Sequence, residues 1–505
     1  MHFIATPLIL FLFTLYAFSH DSILHLSISA SPSRINPLLA TDSASAEISD
    51  RLFNGLVKFD SNGTIVGDLA DSFHFEDNKT LIFTLHQNIQ WHDTQEFDAE
   101  DVVYTYQLLN SPKLLTPYKD SFKYVKRVEA LDKYTIRVTY KQPYFKALSI
   151  WMMGILPKHI WEKEDNPMTS SINKNPIGTG AYMLKQPFKV NEKIVLNANP
   201  YYFDGVAKIK TINYHYIADP STQFITLKAK ELDIGSLDPL QVQRQLNKEF
   251  NSYYQLIEQP SQSYTYMGFN LRLPKFKNKK VREAIAYAIN KQELIDLLFF
   301  KHGKICHGPF MPDTPVYPKE YKPKEYNPTK SKQLLKELGY TPKNPLQFEL
   351  ISNTGNDTRI NAAQIMQHQL AKVGIQMSIR IMEWQAFLNT VVMPHKFEAV
   401  LMGWSLSLIP DAYSIWHSDG DKKGGFNFIG YHNAQVDKLI TDSESIIESQ
   451  KFAKNYQQIF KLIADDTPYL FLYIPNSITA VNKKIKGIKP SLIGITYNST
   501  EWVKE

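Results

Sequence analysis

The second half of the chain alternates between strand and helix patterns, which constrains the fold more than any other feature. Residues 346–352 and 375–381 have the pattern of strands, and residues 359–373 between them have that of a helix closed by Gly374. Residues 397–402 form a further short apolar strand. A strand, a helix and a second strand in this order are typical of a parallel sheet, because the helix carries the chain back across one face of the sheet. This half is therefore predicted to be an α/β unit.

The first half combines strand pairs with single helices. Residues 80–85 and 89–92 are predicted to be strands, and residues 125–131 and 134–140 are predicted to pair around a short turn. Asp98 is a preferred N-cap residue, and with Asp101 three residues on it predicts the start of a helix. At the start of the second half, the pattern of residues 280–300 predicts one amphipathic helix. At about 100–200 residues per domain, 505 residues suggest two to four domains with ample core.

The amino terminus has the pattern of an export signal. The apolar run over residues 3–18 is short for a membrane span, which needs about 20 residues. Ala17 and Ser19 fit the small-residue pattern before a cleavage point, so residues 1–19 are predicted to be a signal peptide. No Lys or Arg precedes the run, and an uncleaved anchor helix is the alternative. We expect the bulk of the chain to be exported and, beyond this run, to be soluble.

The composition and motifs exclude several classes of protein. A disulfide within the chain is impossible, because Cys306 is the only cysteine. The net charge of +6 is dilute and mostly due to Lys, which argues against a nucleic-acid partner. The sequence contains no G-x-S-x-G, H-E-x-x-H, P-loop or G-x-G-x-x-G motif, and the pair His92-Asp93 is more typical of a turn than of a catalytic pair. We therefore predict no enzyme activity, no catalytic residue, no cofactor and no metal.

A series of short segments carries a family resemblance. In chain order they are residues 35–42, 51–57, 67–70, 91–93, 99–105, 175–182, 199–202, 269–270, 281–284, 288–290, 403–404, 425–431 and 436–440. Together they resemble the bacterial extracellular solute-binding proteins of family 5, which include the oligopeptide and dipeptide receptors of peptide ABC importers.

The resemblance implies an α/β, two-lobed periplasmic binding protein type II-like fold with an inserted extra domain in the first lobe. The core of the first lobe would comprise residues 20–46, 176–263 and 477–505. The inserted domain would comprise residues 47–175, and the second lobe residues 264–476.

The same resemblance implies a function. The chain would capture a peptide or peptide-like ligand between two closing lobes and deliver it to the permease subunits of an ABC importer in the inner membrane, acting as a monomer. One alternative keeps the fold but changes the cargo to a metal chelate, haem or an opine-like compound. A further alternative is a secreted hydrolase or folding helper with no transporter.

The ligand-binding residues follow from the matching segments. An extended peptide can pair as a strand with backbone segments of both lobes, here residues 41–45 and 403–407. Trp404 would be a wall of the cleft. The predicted ligand-binding residues are Thr41, Asp42, Ser43, Ala44, Tyr264, Tyr266, Asn270, Gly403, Trp404, Ser405, Ser407, Asp411 and Asn427.

Two positions depart from the pattern of the dipeptide receptors. Those proteins carry an acidic residue three positions after the Trp, and here that position is Ser407. They carry an Arg at the end of an upstream strand, where this chain has Ser352; Arg359 is close but is predicted to start the following helix. Asp411 either replaces the missing acid or caps a short helix. We therefore predict that free dipeptides are not held by two charged anchors.

Overall fold

The computed structural model of the chain describes residues 22–40, 42–422 and 425–505, and these form twenty strands. The strands are β1 (Ile23–Ile28), β2 (Val57–Phe59), β3 (Ile65–Gly67), β4 (Ala70–Asp77), β5 (Thr80–Leu85), β6 (Val125–Asp132), β7 (Thr135–Tyr140), β8 (Tyr182–Leu184), β9 (Ile194–Ala198), β10 (Thr211–Tyr216), β11 (Ile234–Leu237), β12 (Tyr254–Pro260), β13 (Ser263–Phe269), β14 (Gly303–Ile305), β15 (Gln347–Asn353), β16 (Gln376–Met382), β17 (Ala399–Ser405), β18 (Tyr469–Asn482), β19 (Ile485–Lys486) and β20 (Val503–Lys504).

Fifteen α-helices connect these strands within the described residues. They are α1 (Ser43–Leu52), α2 (Ala99–Asn110), α3 (Lys158–Trp161), α4 (Pro220–Lys228), α5 (Pro239–Arg244), α6 (Lys248–Tyr253), α7 (Pro274–Lys277), α8 (Lys279–Ala288), α9 (Lys291–Phe299), α10 (Pro328–Glu337), α11 (Asp357–Ala371), α12 (Trp384–Phe387), α13 (Tyr413–Trp416), α14 (Ala434–Glu444) and α15 (Ser449–Asp466). Short 3-10 segments cover Pro117–Phe122, Ser149–Met152, Ser171–Lys174, Ser418–Gly420 and Thr496–Glu501, and a π turn covers Leu388–Val392.

Two four-stranded sheets are built from the first half of the chain. One has the order β1-β10-β9-β8 and the other the order β4-β5-β7-β6. The second sheet is antiparallel, with β5 and β7 at its centre. The predicted start of α2 is correct: Asp98 accepts from the backbone of the first turn, and Asp101 bonds back to the Asp98 N–H as a capping box.

An eight-stranded sheet joins the two halves of the molecule. Its order is β11-β18-β13-β17-β15-β16, and β12 and β14 also pair with β18. Strand β18 is 14 residues long. Its first part pairs with β13 and β14, and its second part pairs with β11 and β12. The connection from β12 to β13 and the middle of β18 are thus the two places where the chain passes between the halves.

The buried hydrophobic residues separate in the same way. One cluster combines residues 24–214 with Val481, Ile485 and Trp502, and a small cluster combines residues 224–254 with Ile478 and Ala480. Two further clusters draw their buried members only from residues 264–474. The segment predicted as an inserted domain shares its core with the first lobe. The boundaries given for the two lobes and the inserted domain remain a prediction.

Two predicted elements differ from the structure. The single helix expected over 280–300 is two helices, because Asn290 caps α9 through a bond from the Glu293 N–H at 3.1 Å. Residues 89–92 contribute only an isolated bridge between Gln90 and Glu96 rather than a strand.

Two sequence features concern export. The predicted signal peptide and its cleavage point lie outside the described residues. None of the described helices combines the length and apolar character needed to cross a membrane.

The single cysteine is buried. Cys306 is 1% exposed, and burial raises the pKa of its thiol to about 12. The thiol is therefore protonated and shielded.

Candidate functional site

A small cavity in the second lobe gathers five of the predicted residues. Its volume is about 230 Å³, and Tyr264, Trp404, Ser405, Ser407 and Asp411 line it. A larger cavity, about 1260 Å³, contains none of the predicted residues. It is a wide groove beside the first residues of β15 and β16, whereas the smaller cavity lies where β17 ends. Ligands of open α/β sheets bind beyond the carboxyl ends of strands, so the smaller cavity is the better candidate.

Aromatic side chains hold Trp404 as a wall of this cavity. Its ring is nearly parallel to those of Tyr266 and Phe428, with centroids 6.4 Å and 5.8 Å away, and Phe426 meets it edge-on at 5.9 Å. The Trp404 Nε1–H donates to the Tyr469 hydroxyl at 3.4 Å. Trp404 itself is half-buried, so one part of the ring remains accessible.

Two buried polar atoms beside the cavity have no partner among the described residues. They are the hydroxyl of Tyr264, a side chain that is 1% exposed, and Oε1 of Gln262. The amide of Gln262 donates to the Leu492 carbonyl at 3.4 Å and leaves its oxygen unused. Burial raises the pKa of Tyr264 well above its usual value, so the hydroxyl keeps its proton. Both residues line the cavity.

The carboxyl end of β17 has an open backbone edge. Its pairing with β13 runs the whole length from Ser263–Ser405 to Phe269–Ala399, but its pairing with β15 covers only Ala399 and Val400. The Leu401 carbonyl, on the β15 side, accepts from the Ser352 hydroxyl at 3.1 Å. Because backbone groups of alternate residues point the same way along a strand, those of Gly403 and Ser405 also face this side, where no described strand pairs with them.

Arg359 packs over the sheet face at this end of β17. A Cβ atom on Gly403 would be 2.7 Å from Nη2 of Arg359, so the guanidinium packs directly on the glycine. Nη1 donates to Oδ1 of Asn353 at 3.2 Å, and Nε has no partner. Burial lowers the pKa of Arg359, opposed by the phenols of Tyr473 and Tyr266. Among the described residues no carboxylate lies within ion-pair distance of this cation, and its charge is left uncompensated.

Three side chains near the site are fully used inside the protein. The Asn270 amide donates to the carbonyls of His395 and Phe397 at 3.1 and 2.9 Å. The Asn427 amide donates to the Tyr431 carbonyl and accepts from the Tyr431 N–H. Ser352 is buried and bonded to Leu401. The two asparagines hold loops in place, and a ligand contact for either remains a prediction.

Asp411 connects the cavity to the first lobe. Its Oδ1 accepts from the Tyr413 N–H at 3.0 Å, and its Oδ2 lies 2.6 Å from Nζ of Lys146. The residue at the N-cap of α13 is Ala412, so Asp411 supports the turn before the helix without being its cap residue. The carboxylate therefore already has a cationic partner.

The predicted first-lobe residues lie elsewhere. Asp42 caps α1 and accepts from the Ser45 N–H at 2.8 Å. Burial alone would raise the pKa of Asp42, but hydrogen bonds from Ser33 and Ser45 outweigh it and lower that pKa. Ser43 and Ala44 line a separate cavity of about 320 Å³, and Thr41 lies outside the described residues. Since α1 begins at Ser43, residues 43–45 are helical rather than an extended segment.

A fourth cavity is lined by residues of both lobes. It has a volume of about 350 Å³ and is lined by Ser61 and Leu492 from the first lobe and by Met311 from the second. It shares Gln262 and Met311 with the Trp404 cavity, so the two spaces adjoin. Two lobes that enclose connected, ligand-sized cavities define a receptor of the periplasmic binding protein class.

The family follows from comparison with known proteins. The model of the "Bacterial extracellular solute-binding proteins, family 5 Middle" matches residues 64–426, and the chain belongs to this family. Its members are extracellular receptors, so the chain is a solute-binding protein and not an enzyme.

Several relatives cover nearly the whole chain. The oligopeptide-binding protein AppA of Bacillus subtilis is 32% identical over 93% of this chain and 89% of its own. Its structure with a nonapeptide has a TM-score of 0.78 and covers 96% of this chain and 99% of that one. The glutathione-binding protein GsiB of Pectobacterium atrosepticum is 27% identical over 90% and 88% of the two chains. NikZ of Campylobacter jejuni, solved with Ni(L-His), is 27% identical with a TM-score of 0.81 over 96% and 99%. The predicted family and fold class are confirmed.

Sequence reasoning missed two residues of the site. Gln262 lies just before β13, and Arg359 lies in the first turn of α11. The predicted order of elements could have indicated Arg359. A helix that follows β15 begins at the same end of the sheet at which β17 ends, so its first turn lies near Gly403.

Proposed function

We propose that this protein captures a peptide or peptide-like ligand between its lobes and delivers it to an ABC importer. The observation that carries the proposal is the open edge of β17 at Gly403 and Ser405, next to a cavity. An extended peptide can add to such an edge through main-chain hydrogen bonds, which do not depend on the side chains of the peptide. The oligopeptide- and glutathione-binding relatives support this class of ligand.

Arg359 supplies the charge that a peptide needs. Arg359 is half-buried, and a partly desolvated cation without a carboxylate is stabilised when an anion such as the carboxylate of a peptide reaches it. Because the guanidinium packs on Gly403, a ligand paired with this strand lies beside it. We infer that Arg359 takes the role of the arginine that dipeptide receptors carry further upstream, at the position of Ser352.

Mass spectrometry of the co-purified ligand tests the proposal. The exported protein is isolated under gentle conditions and then denatured, and the released small molecules are analysed. We expect one or more peptides or peptide-like compounds with a free carboxylate. Recovery of only a non-peptide compound, in a preparation where the protein is saturated with it, would refute the peptide assignment.

A metal chelate is the second candidate ligand. NikZ, with 27% identity, was solved with Ni(L-His), whose histidine also carries a carboxylate. Within the described residues no group of three or more His, Cys, Asp or Glu side chains is placed to hold a metal ion, so the chelating atoms would come from the ligand itself. Elemental analysis of the same preparation distinguishes the two, since a chelate brings about one metal ion per protein and a peptide brings none.

The cellular setting belongs to the same proposal. A protein that hands its ligand to membrane-embedded permease subunits acts outside the inner membrane, and the apolar run over residues 3–18 suits a cleaved signal. We propose a monomeric periplasmic receptor of a Gram-negative bacterium. Sequencing the amino terminus of the mature protein tests the cleavage, with His20 as the expected first residue.

A further inference from the structure

We propose that the 230 Å³ cavity beside Trp404 is a side-chain pocket that takes one aromatic side chain of the ligand, and that it prefers a ring with a hydroxyl at its tip, as in tyrosine. The inference rests on the proposed function, because it assumes a peptide or peptide-like ligand. It adds a preference that main-chain pairing with β17 cannot supply.

The size and walls of the cavity suit a ring. Its volume is about 230 Å³, and its walls include Phe310, Met311, Val316 and Trp416 together with Phe426. A cavity of about 150 Å³ lined by apolar side chains is large enough to bind benzene. Aromatic walls favour a ring over an aliphatic chain, since edge-to-face and offset-stacked contacts contribute about 0.5–1.5 kcal/mol beyond the buried area.

The two unpartnered atoms favour a hydroxyl group at the tip of the bound ring. The hydroxyl of Tyr264 and Oε1 of Gln262 are both buried and unpaired, and both residues line the cavity. Gln262 lies in the bend just before β13, and Tyr264 is the second residue of that strand. Each unpaired buried group is unfavourable by about 1–3 kcal/mol. A phenol hydroxyl can donate to the Gln262 oxygen and accept from Tyr264, and so satisfies both.

The pocket offers nothing to a charged side chain. Among the described residues that line it, Asp411 alone is ionisable as a carboxylate or amine, and it is already paired with Lys146 at 2.6 Å. Burying an unpaired charge is far more costly than burying a hydrogen-bonded hydroxyl. A Lys or Glu side chain of the ligand should therefore be rejected.

The position of the pocket makes it reachable from a bound backbone. Ser405 belongs both to the open edge of β17 and to the wall of the pocket. Gln262 and Met311 line both the pocket and the cavity between the lobes. A ligand backbone paired at Gly403–Ser405 thus lies next to the pocket mouth, and one of its side chains can enter.

A series of alanine pentapeptides tests the preference by calorimetry. Each of the five positions is replaced in turn by Tyr, Phe or Lys. At one position we expect Tyr to bind about tenfold tighter than Phe, the affinity equivalent of one buried hydrogen bond. At the same position Phe should bind tighter than Ala, and Lys should bind weakest.

Three variants assign the effect to the pocket. Ser414 is exposed and lines the cavity, so Ser414→Phe fills the space and should abolish the preference while the all-alanine peptide still binds. Ser449→Phe, at an exposed site on α15 outside the cavity, is the matched control and should keep the preference. Tyr264→Phe should reduce the Tyr-over-Phe ratio to about one without lowering the melting temperature of the free protein, because the deleted hydroxyl had no partner.

The outcomes separate the two proposals. Binding of the series with no preference at any position, or a preference that survives Ser414→Phe, overturns the pocket and leaves the proposed function intact. Failure of every peptide to bind overturns the proposed function and this inference with it. Titration with 4-methylphenol and with toluene, followed by tryptophan fluorescence, tests the pocket without a peptide. Tighter binding of 4-methylphenol that is lost in Ser414→Phe supports the pocket. Equal binding of the two compounds, or binding of neither, contradicts it.

Discussion

Nζ of Lys146 lies 2.6 Å from Oδ2 of Asp411, and this ion pair joins the first lobe to the wall of the Trp404 pocket in the second. Phe145 stacks on Phe452 beside it, with ring centroids 5.1 Å apart. The Phe145 N–H donates to the Glu444 carbonyl at 3.0 Å. All these contacts lie away from the two crossings at β12–β13 and β18, so they hold the lobes together independently of the hinge.

The substitution Lys146→Met should weaken ligand binding by destabilising the closed arrangement. The pair is partly exposed, with side chains 22% and 37% accessible, so we expect about two- to fivefold lower affinity, mainly through faster dissociation. Stopped-flow fluorescence of the ligand identified by mass spectrometry measures the rate. Lys438→Met removes a pair of similar length, 2.8 Å from Asp442, that lies within one helix, and should leave dissociation unchanged. An unaltered rate in Lys146→Met would show that this pair does not stabilise closure.

The substitution Arg359→Met should have opposite effects on binding and on stability. Loss of one partner of a buried charge pair costs about 2–5 kcal/mol, so peptides with a free carboxylate should bind about 30-fold to several thousand-fold more weakly. The free protein should melt at the same or a higher temperature, because an uncompensated, half-buried charge has been removed.

Peptides with an amidated carboxyl terminus are the control for Arg359. They should bind Arg359→Met and the unaltered protein with equal affinity, since an amidated terminus cannot form an ion pair with residue 359 in either protein. If amidation weakens binding to Arg359→Met as much as it weakens binding to the unaltered protein, the two effects are additive and Arg359 does not contact the carboxylate.

The amino group of the ligand should matter much less than the carboxylate. Ser407 occupies the position of the acid in dipeptide receptors, and Asp411 is already paired with Lys146. Acetylation of the peptide amino terminus should therefore change affinity by less than about fivefold, the range of an exposed ion pair. Calorimetry on free, acetylated and amidated forms of one peptide measures both effects. Equal losses on acetylation and amidation would contradict this prediction and reveal an acidic anchor.

Local sequence patterns predicted the elements whose signals are local. The capping box at Asp98 and Asp101 fixed the start of α2, and Gly374, with a positive φ of 85°, ends the turn after α11 as expected. The prediction failed at Asn290, where hydrophobic periodicity continues through a helix break. That residue caps α9, and its carbonyl accepts from Gln369 of α11 at 3.3 Å. The cap is a local signal that the hydrophobic periodicity hides, and the contact with Gln369, 79 residues away, adds to it.

The site was predictable only where it follows a motif. The segment Gly403-Trp404 came from the family resemblance, and the structure places Trp404 in a cavity wall. Arg359 was assigned to a helix and set aside, because its contact with Gly403 depends on the packing of α11 against the sheet. The first-lobe segment was expected to be extended, but Asp42 accepts from the Ser45 N–H and starts a helix there.

A buried histidine provides a test of stability against pH. His92 Nδ1 accepts from the Gly178 N–H at 3.1 Å, which requires the neutral ring, and Nε2 faces the Gly180 carbonyl at 3.1 Å as the donor. A Cβ atom on Gly178 would lie 1.8 Å from the Leu52 carbonyl oxygen, so this turn packs tightly on the end of α1. His92 thus supports a turn, which is the role that the sequence favours for the pair His92-Asp93.

Protonation of His92 should destabilise the fold. Burial lowers its pKa from 6.5 to about 4, against the opposing effects of the Gly180 carbonyl and Asp93. Between these values the unfolded chain binds the proton and the folded chain does not, so stability is complete above pH 6.5 and falls as the pH drops to 4, by about 3 kcal/mol for this group. The variant His92→Asn keeps an acceptor for Gly178 but does not titrate. Its free energy of unfolding should therefore be lower than that of the unaltered protein at pH 7 and should vary less between pH 7 and 5.

Urea unfolding at each pH measures both the free energy of unfolding and its change with pH. His368→Asn, at an exposed site on α11, is the control and should reproduce the curve of the unaltered protein. Parallel curves for His92→Asn and the unaltered protein would mean that His92 takes up no proton on unfolding in this range.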